Sequence, residues 1–120
     1  MPESSQPSVP EDLSGTLGQE LLAIHRDSYG RGAGNVSAHV CNNALVVFID
    51  DLEFHPSEQF LIDQGQGDTV VRTREAYEVA IEATFCAAVE RAVGRRVESF
   101  ISATRLEPPF SVEIFRLSPH

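Results

Sequence analysis

Hydrophobic positions along this chain change spacing several times, and each change marks an element. Residues 16–29, TLGQELLAIHRDSY, place Leu17, Leu21 and Ile24 on one side of a helix. Thr16 with Gln19 three residues on forms a capping box, and Gly30 supplies the stop. Gly18 weakens that helix by about 1 kcal/mol relative to alanine. The spacing then drops to two: Val36, Ala38 and Val40 alternate with Ser37, His39 and Cys41, as in a strand covered on one side. Asn42-Asn43 tolerates positive φ and predicts a two-residue hairpin turn. ALVVFID, residues 44–50, is almost continuously apolar and predicts a central strand.

HPSEQFLIDQG then carries Pro56 and Glu58 at a helix start and Gly65 at its end. The longest element follows over 69–93, with Asp68 as its N-cap and Gly94 as its C-cap. On a helical wheel Val70, Tyr77, Ile81, Phe85, Ala88 and Ala92 form one stripe, edged by Val71 and Val89. RVESFISATR and FSVEIFRLS are two further strands, separated by the prolines of LEPP. The order α-β-β-α(short)-α(long)-β-β predicts a single α+β domain, an antiparallel four-stranded sheet made of two hairpins with the long helix covering one face. The first helix or a second copy of the chain is expected to cover the other.

Composition changes the picture at the ends. Residues 1–15 are rich in Pro, Ser and acid and hold little that can be buried, so 1–15 reads as a disordered tail and 16–118 as the domain. Eighteen acidic against nine basic residues give a formal charge of −9, which repels nucleic-acid phosphates and anionic lipid. No apolar run approaches the roughly 18 residues of a membrane span, so no direct membrane insertion is expected. Cys41 and Cys86 are far apart and lie in apolar surroundings, which predicts two buried thiols in a reducing compartment. With no secretory signal at the N-terminus, the expected location is the cytoplasm.

Several of these stretches together resemble a known family. They are YGRGAGNVSAHVCNNALVVFIDD, PSEQFL, VERAVGRRVESFISATRLEPP and SVEIFRLSP, spread over residues 17–118. The chain is similar to the bacterial MpsC family, named for the C component of a Na+-translocating membrane-potential-generating system. The most specific pieces are Gly30-Arg31-Gly32, the apolar strand followed by Pro56 and Glu58, and the helix exit Gly94-Arg95 with Val97. Ala33-Gly34 stands where the family has proline after Gly-Arg-Gly, and Phe54-His55-Pro56 replaces Leu-Thr-Pro. The resemblance implies an accessory or regulatory domain linked to a membrane transport complex for cations or inorganic carbon. It brings no catalytic residues and no cofactor.

Four groups of residues are candidates for chemistry. Glycines that follow a helix and precede a strand meet the negative pole of the helix dipole, so Gly30 and Gly32 read as a connector and not as a phosphate cradle. Arg31 between them offers a forked donor to an anion or a partner carboxylate. Asp51, Glu53 and His55 fall two apart and would share one side of an extended backbone, a weak metal set weighed against solvated acids at a strand exit. Arg74 falls inside the apolar stripe one turn before Tyr77. It either pairs with a carboxylate such as Asp50, or an anion, or extends its head to the sheet edge. His25, His39, His55 and His120 are scattered without a nucleophile pattern, so the chain reads as a non-enzyme. The function expected is protein contact as a homodimer; the alternative is a sensor of a small anion or nucleotide through Arg31 and Arg74.

Overall fold

The structure, a computed structural model, describes residues 11–119. Its elements are α1 (Glu11–Tyr29), β1 (Ala33–Cys41), β2 (Ala44–Leu52), α2 (Pro56–Asp63), α3 (Gly67–Val93), β3 (Val97–Leu106) and β4 (Pro109–Leu117). The strands form one antiparallel sheet in the order β1-β2-β4-β3, so the expected α+β fold from two hairpins is present. The continuously apolar β2 is central, as its sequence predicts, with β4 beside it. Asn42 turns the first hairpin at φ 61°.

Both α1 and α3 pack on the same sheet face. Leu17 and Leu21 of α1 and Phe85, Ala88 and Val89 of α3 close one core over Ala38, Leu45, Val47, Ile49 and Phe115. Three rows of side chains cross that face. Val40, Leu45, Phe115 and Phe100 make the first, Ala38, Val47, Glu113 and Ser102 the second, and Val36, Ile49, Ser111 and Thr104 the third. The covered face is therefore apolar along its first row and on β1 and β2, and polar where β4 and β3 cross the second and third rows. Gly18 lies within α1 where the helix meets β1; a Cβ there would stand 3.2 Å from Val36 Cγ1. Its local cost to the helix accompanies this close approach.

The opposite face carries His39, Val46, Ile114 and Ile101 in one row and Ser37, Phe48, Val112 and Ala103 in the next. Because α1 joins α3 on the covered side, no described helix lies on this one. Ile101 is 61% and Phe48 36% exposed.

Several expectations are corrected. α1 begins at Glu11, so Thr16 and Gln19 lie inside the helix and do not cap it, and residues 11–15 belong to the helix rather than the tail. The sequence Pro10-Glu11-Asp12 is a helix-start signature that composition masked; the rest of the tail, residues 1–10, lies outside the described residues. Gln66, not Asp68, is the N-cap of α3, and Asp68 sits in its first turn. Tyr77 is 46% exposed, while Arg74 and Glu78 occupy the buried stripe. The helix is rotated so that these two side chains, polar at one end and aliphatic along the stem, reach partners under it. Cys41 is exposed at the hairpin tip, on the same side of β1 as Ser37 and His39, and Cys86 is only partly buried at the margin of the core.

Candidate functional site

Where α1 ends, the chain must reverse into β1, and Gly30 does so in the left-handed conformation at φ 73°, its N–H bonding to the Arg26 carbonyl at 2.8 Å. Gly32 is buried; its N–H donates to Glu53 Oε1 at 3.2 Å and its carbonyl accepts from the Glu53 N–H at 3.0 Å. His55 reaches the Tyr29 carbonyl through Nε2 and lies 3.4 Å from Arg31 Nε through Nδ1. The Gly-Arg-Gly turn is thus stitched to the segment between β2 and α2. Arg31 itself is exposed. Gly34 fits against a second irregularity: a Cβ there would stand 2.8 Å from Asp51 Cβ, and Asp51 adopts φ 55°. That left-handed residue breaks the strand alternation, so Asp51, Glu53 and His55 do not share one extended face. Among the described residues no three His, Cys, Asp or Glu side chains gather as a metal site.

Beneath this turn lies a buried polar cluster. Arg74 is 1% exposed, and its partner is Glu58 rather than Asp50. Arg74 Nε donates to Glu58 Oε2 and Nη2 to Glu58 Oε1, both at 2.8 Å, a bidentate pair. Nη2 also donates to the Glu53 carbonyl at 2.9 Å. The guanidinium lies over the rings of Tyr29 at 4.6 Å and Phe54 at 4.9 Å. Glu58 additionally accepts the His55 N–H at 2.9 Å, so one carboxylate caps α2 and holds α3. Burial would raise its pKa, but the bonds from Arg74 and the His55 backbone outweigh that and hold it below the usual carboxylate range.

Tyr29, at the end of α1, lets its hydroxyl face two acceptors on α3, the Arg74 carbonyl at 2.9 Å and Glu78 Oε2. Burial, followed by the Glu78 carboxylate, pushes the phenol above its ordinary range. Glu78 also accepts from Ser102 Oγ at 3.3 Å. Opposite Ser102, Glu113 is wholly buried, and burial together with the neighbouring Glu78 carboxylate raises its pKa well above the carboxylate norm. On the other side of Tyr29, His25 is 1% exposed, its ring 4.5 Å from the phenol. Burial, then the Arg74 charge, lowers its pKa from 6.5 to about 4, so it is neutral at physiological pH. Tyr77 touches this cluster only at its margin, ring to ring with Tyr29 at 5.2 Å.

A match to the family described as "Na+-translocating membrane potential-generating system (MpsC)" runs over residues 11–119, nearly the whole chain. The chain belongs to that family. No curated protein and no solved structure matches it. Within this MpsC-family domain the structure joins Gly30, Arg31, Gly32, Glu53 and His55 at one turn and places Arg74 directly below, whereas Asp51 faces Gly34 and Tyr77 faces outward. The sequence reading did not single out Tyr29, Glu78 or Glu113, and it met Glu58 only as a helix-start residue and His25 only as one of four scattered histidines. Glu78 had a signal, since it lies one helical turn beyond Arg74. Glu113 had the opposite one: Val112 and Ile114 are the more apolar parity of β4, yet they point to the uncovered face.

Proposed function

We propose that this chain is a non-enzymatic, cytoplasmic accessory domain of the membrane-potential system to which its family is linked, and that it acts by protein–protein contact as a homodimer. One observation carries the reading: the uncovered sheet face. Its two middle rows hold Val46, Ile114, Ile101, Phe48, Val112 and Ala103, with His39 and Ser37 at the β1 edge, and its flanking rows hold Arg116 beside Ala44 at one end and Asp50, Phe110 and Arg105 at the other. A continuous apolar patch with charged side chains at its margins resembles an interface core, and patches of this kind mark contact sites. A second copy turned end for end sets the Arg116 row of one face against the Asp50 row of the other, while the apolar rows meet as in a two-sheet sandwich. No described helix is long and apolar enough to cross a membrane.

The anion-sensing alternative has less support, because Glu58 engages Nε and Nη2 of Arg74, the unpartnered Nη1 is buried, and only Arg31 remains open to solvent. The test is co-expression of two differently tagged copies. The wild-type chains are expected to co-purify, and the Phe48→Asp/Ile101→Asp pair to separate while keeping its helical and sheet circular dichroism. Co-purification undiminished in the double variant would overturn the reading.

A further inference from the structure

Glu113 stands out among the buried groups. It is 0% exposed on the covered face of a central strand, and neither of its carboxylate oxygens meets a hydroxyl, amide or cationic donor among the described residues; the group that faces it within hydrogen-bonding reach is another carboxyl, Glu78. Around it stand Ser102 directly across on β3, Val47 across on β2, and Glu78 on the overlying α3. Glu78 is 2% exposed and accepts the Ser102 hydroxyl and the Tyr29 phenol. Two carboxylates and two hydroxyls therefore converge between α1, α3 and the sheet.

The charges nearby do not neutralise the two acids. Arg74, the cation of α3 in this region, is tied to Glu58 of α2. His25 of α1 is uncharged above about pH 4, and Tyr29 of α1 keeps its proton. Val47 of β2 and Ser102 of β3 bring no charge. Thr104 and Ser111, in the next row, bond to each other at 3.0 Å. Two adjacent carboxylates in a low-dielectric interior do not both stay ionised without a counter-charge. One positive charge completes the group, and the ligand set is all oxygen, the chemistry of a hard cation.

We infer that Glu78 and Glu113, with the Ser102 and Tyr29 hydroxyls, form a single-charge site that holds a proton on Glu113 and, when that proton leaves, a small alkali cation. Two carboxylates are fewer than the three His, Cys, Asp or Glu side chains of a full metal centre, so the hydroxyls of Ser102 and Tyr29 supply the remaining oxygens for a singly charged ion. The ion reaches the site through local opening of α3 from the polar half of the sheet, where the packing contains Ser, Thr and Glu instead of aliphatic side chains.

The experiment is thermal unfolding of the full chain at pH 9 and at pH 6 in sodium chloride, potassium chloride and choline chloride of equal ionic strength. At pH 9 sodium or potassium is expected to raise the Tm by about 5 °C over choline, the shift produced when an ion exceeds its Kd roughly tenfold. At pH 6 the difference is expected to shrink, because protons compete for Glu113 more strongly than at pH 9. Glu113→Gln keeps the shape of the neutral carboxyl and is expected to lose the ion response. Ser102→Ala, which leaves both acids in place, is expected to weaken it. Equal Tm values in all three salts at pH 9, or an undiminished response in Glu113→Gln, would overturn the assignment.

Discussion

His25 gives the domain an acid limit whose size follows from its surroundings. The ring is 1% exposed, neither nitrogen is hydrogen-bonded among the described residues, and the Arg74 charge is close. Its pKa falls from 6.5 to about 4, a difference equivalent to roughly 3 kcal/mol. In the unfolded chain His25 binds its proton as the pH drops through 6.5; in the folded chain it does not until about 4. Over that window the unfolded state binds more protons, so stability falls with falling pH and its full His25 contribution is present only above 6.5. Glu113 acts with the opposite sign. Its raised pKa means that the folded chain keeps a proton the unfolded chain has released, so its contribution is greatest at low pH and is lost as the pH rises through the folded value. The two oppose each other wherever both groups titrate above about pH 4.5, and wild type alone hides both.

A pair of proteins separates them. Urea unfolding of wild type and His25→Leu at pH 7, 5.5 and 4 should show a wild-type midpoint falling by about 1.5 M more than that of the variant, for an m-value of about 2 kcal/mol/M. At pH 7 the variant should equal or exceed wild type, since leucine removes two unpartnered buried nitrogens. Parallel pH profiles for the two proteins would show that His25 is hydrated in the folded state and refute the reasoning.

The other predictions concern the same cluster and turn. Arg74→Ala should destabilise by about 3 kcal/mol, the lower part of the range for a broken buried pair because Glu58 keeps 17% exposure, read as a lower urea midpoint. Tyr29→Phe should lose about 1–2 kcal/mol by leaving Glu78 and the Arg74 carbonyl without their donor. Gly34→Ala should cost about 1–3 kcal/mol through its contact with Asp51, and the Gly34→Ala/Asp51→Gly pair should recover much of this in the same melt because it removes both the contact and the left-handed side chain.

The elements were legible in the sequence where period and punctuation agreed. Val36-Ala38-Val40, the Asn42-Asn43 turn, Pro56 and Gly94 located β1, the hairpin, α2 and the end of α3. The fold class followed from their order. The start of α1 was missed because a proline followed by acid is both a tail composition and a helix start. The candidate site was only partly legible. Arg74 announced itself as a cation in an apolar stripe, but its partner lies 16 residues away on another helix, and no local pattern identifies it. Glu113 was hidden by β4, whose stronger apolar parity faces the uncovered side; strand alternation says which residues share a face, and packing of α1 and α3 decides which face is inside.

That same uncovered face is the centre of the functional account, and sedimentation velocity over a concentration series tests it most directly. The account predicts a species of twice the 13.2 kDa chain mass that gives way to the single chain in Phe48→Asp/Ile101→Asp. A wild-type chain that sediments at 13.2 kDa at every concentration up to the millimolar range would contradict it.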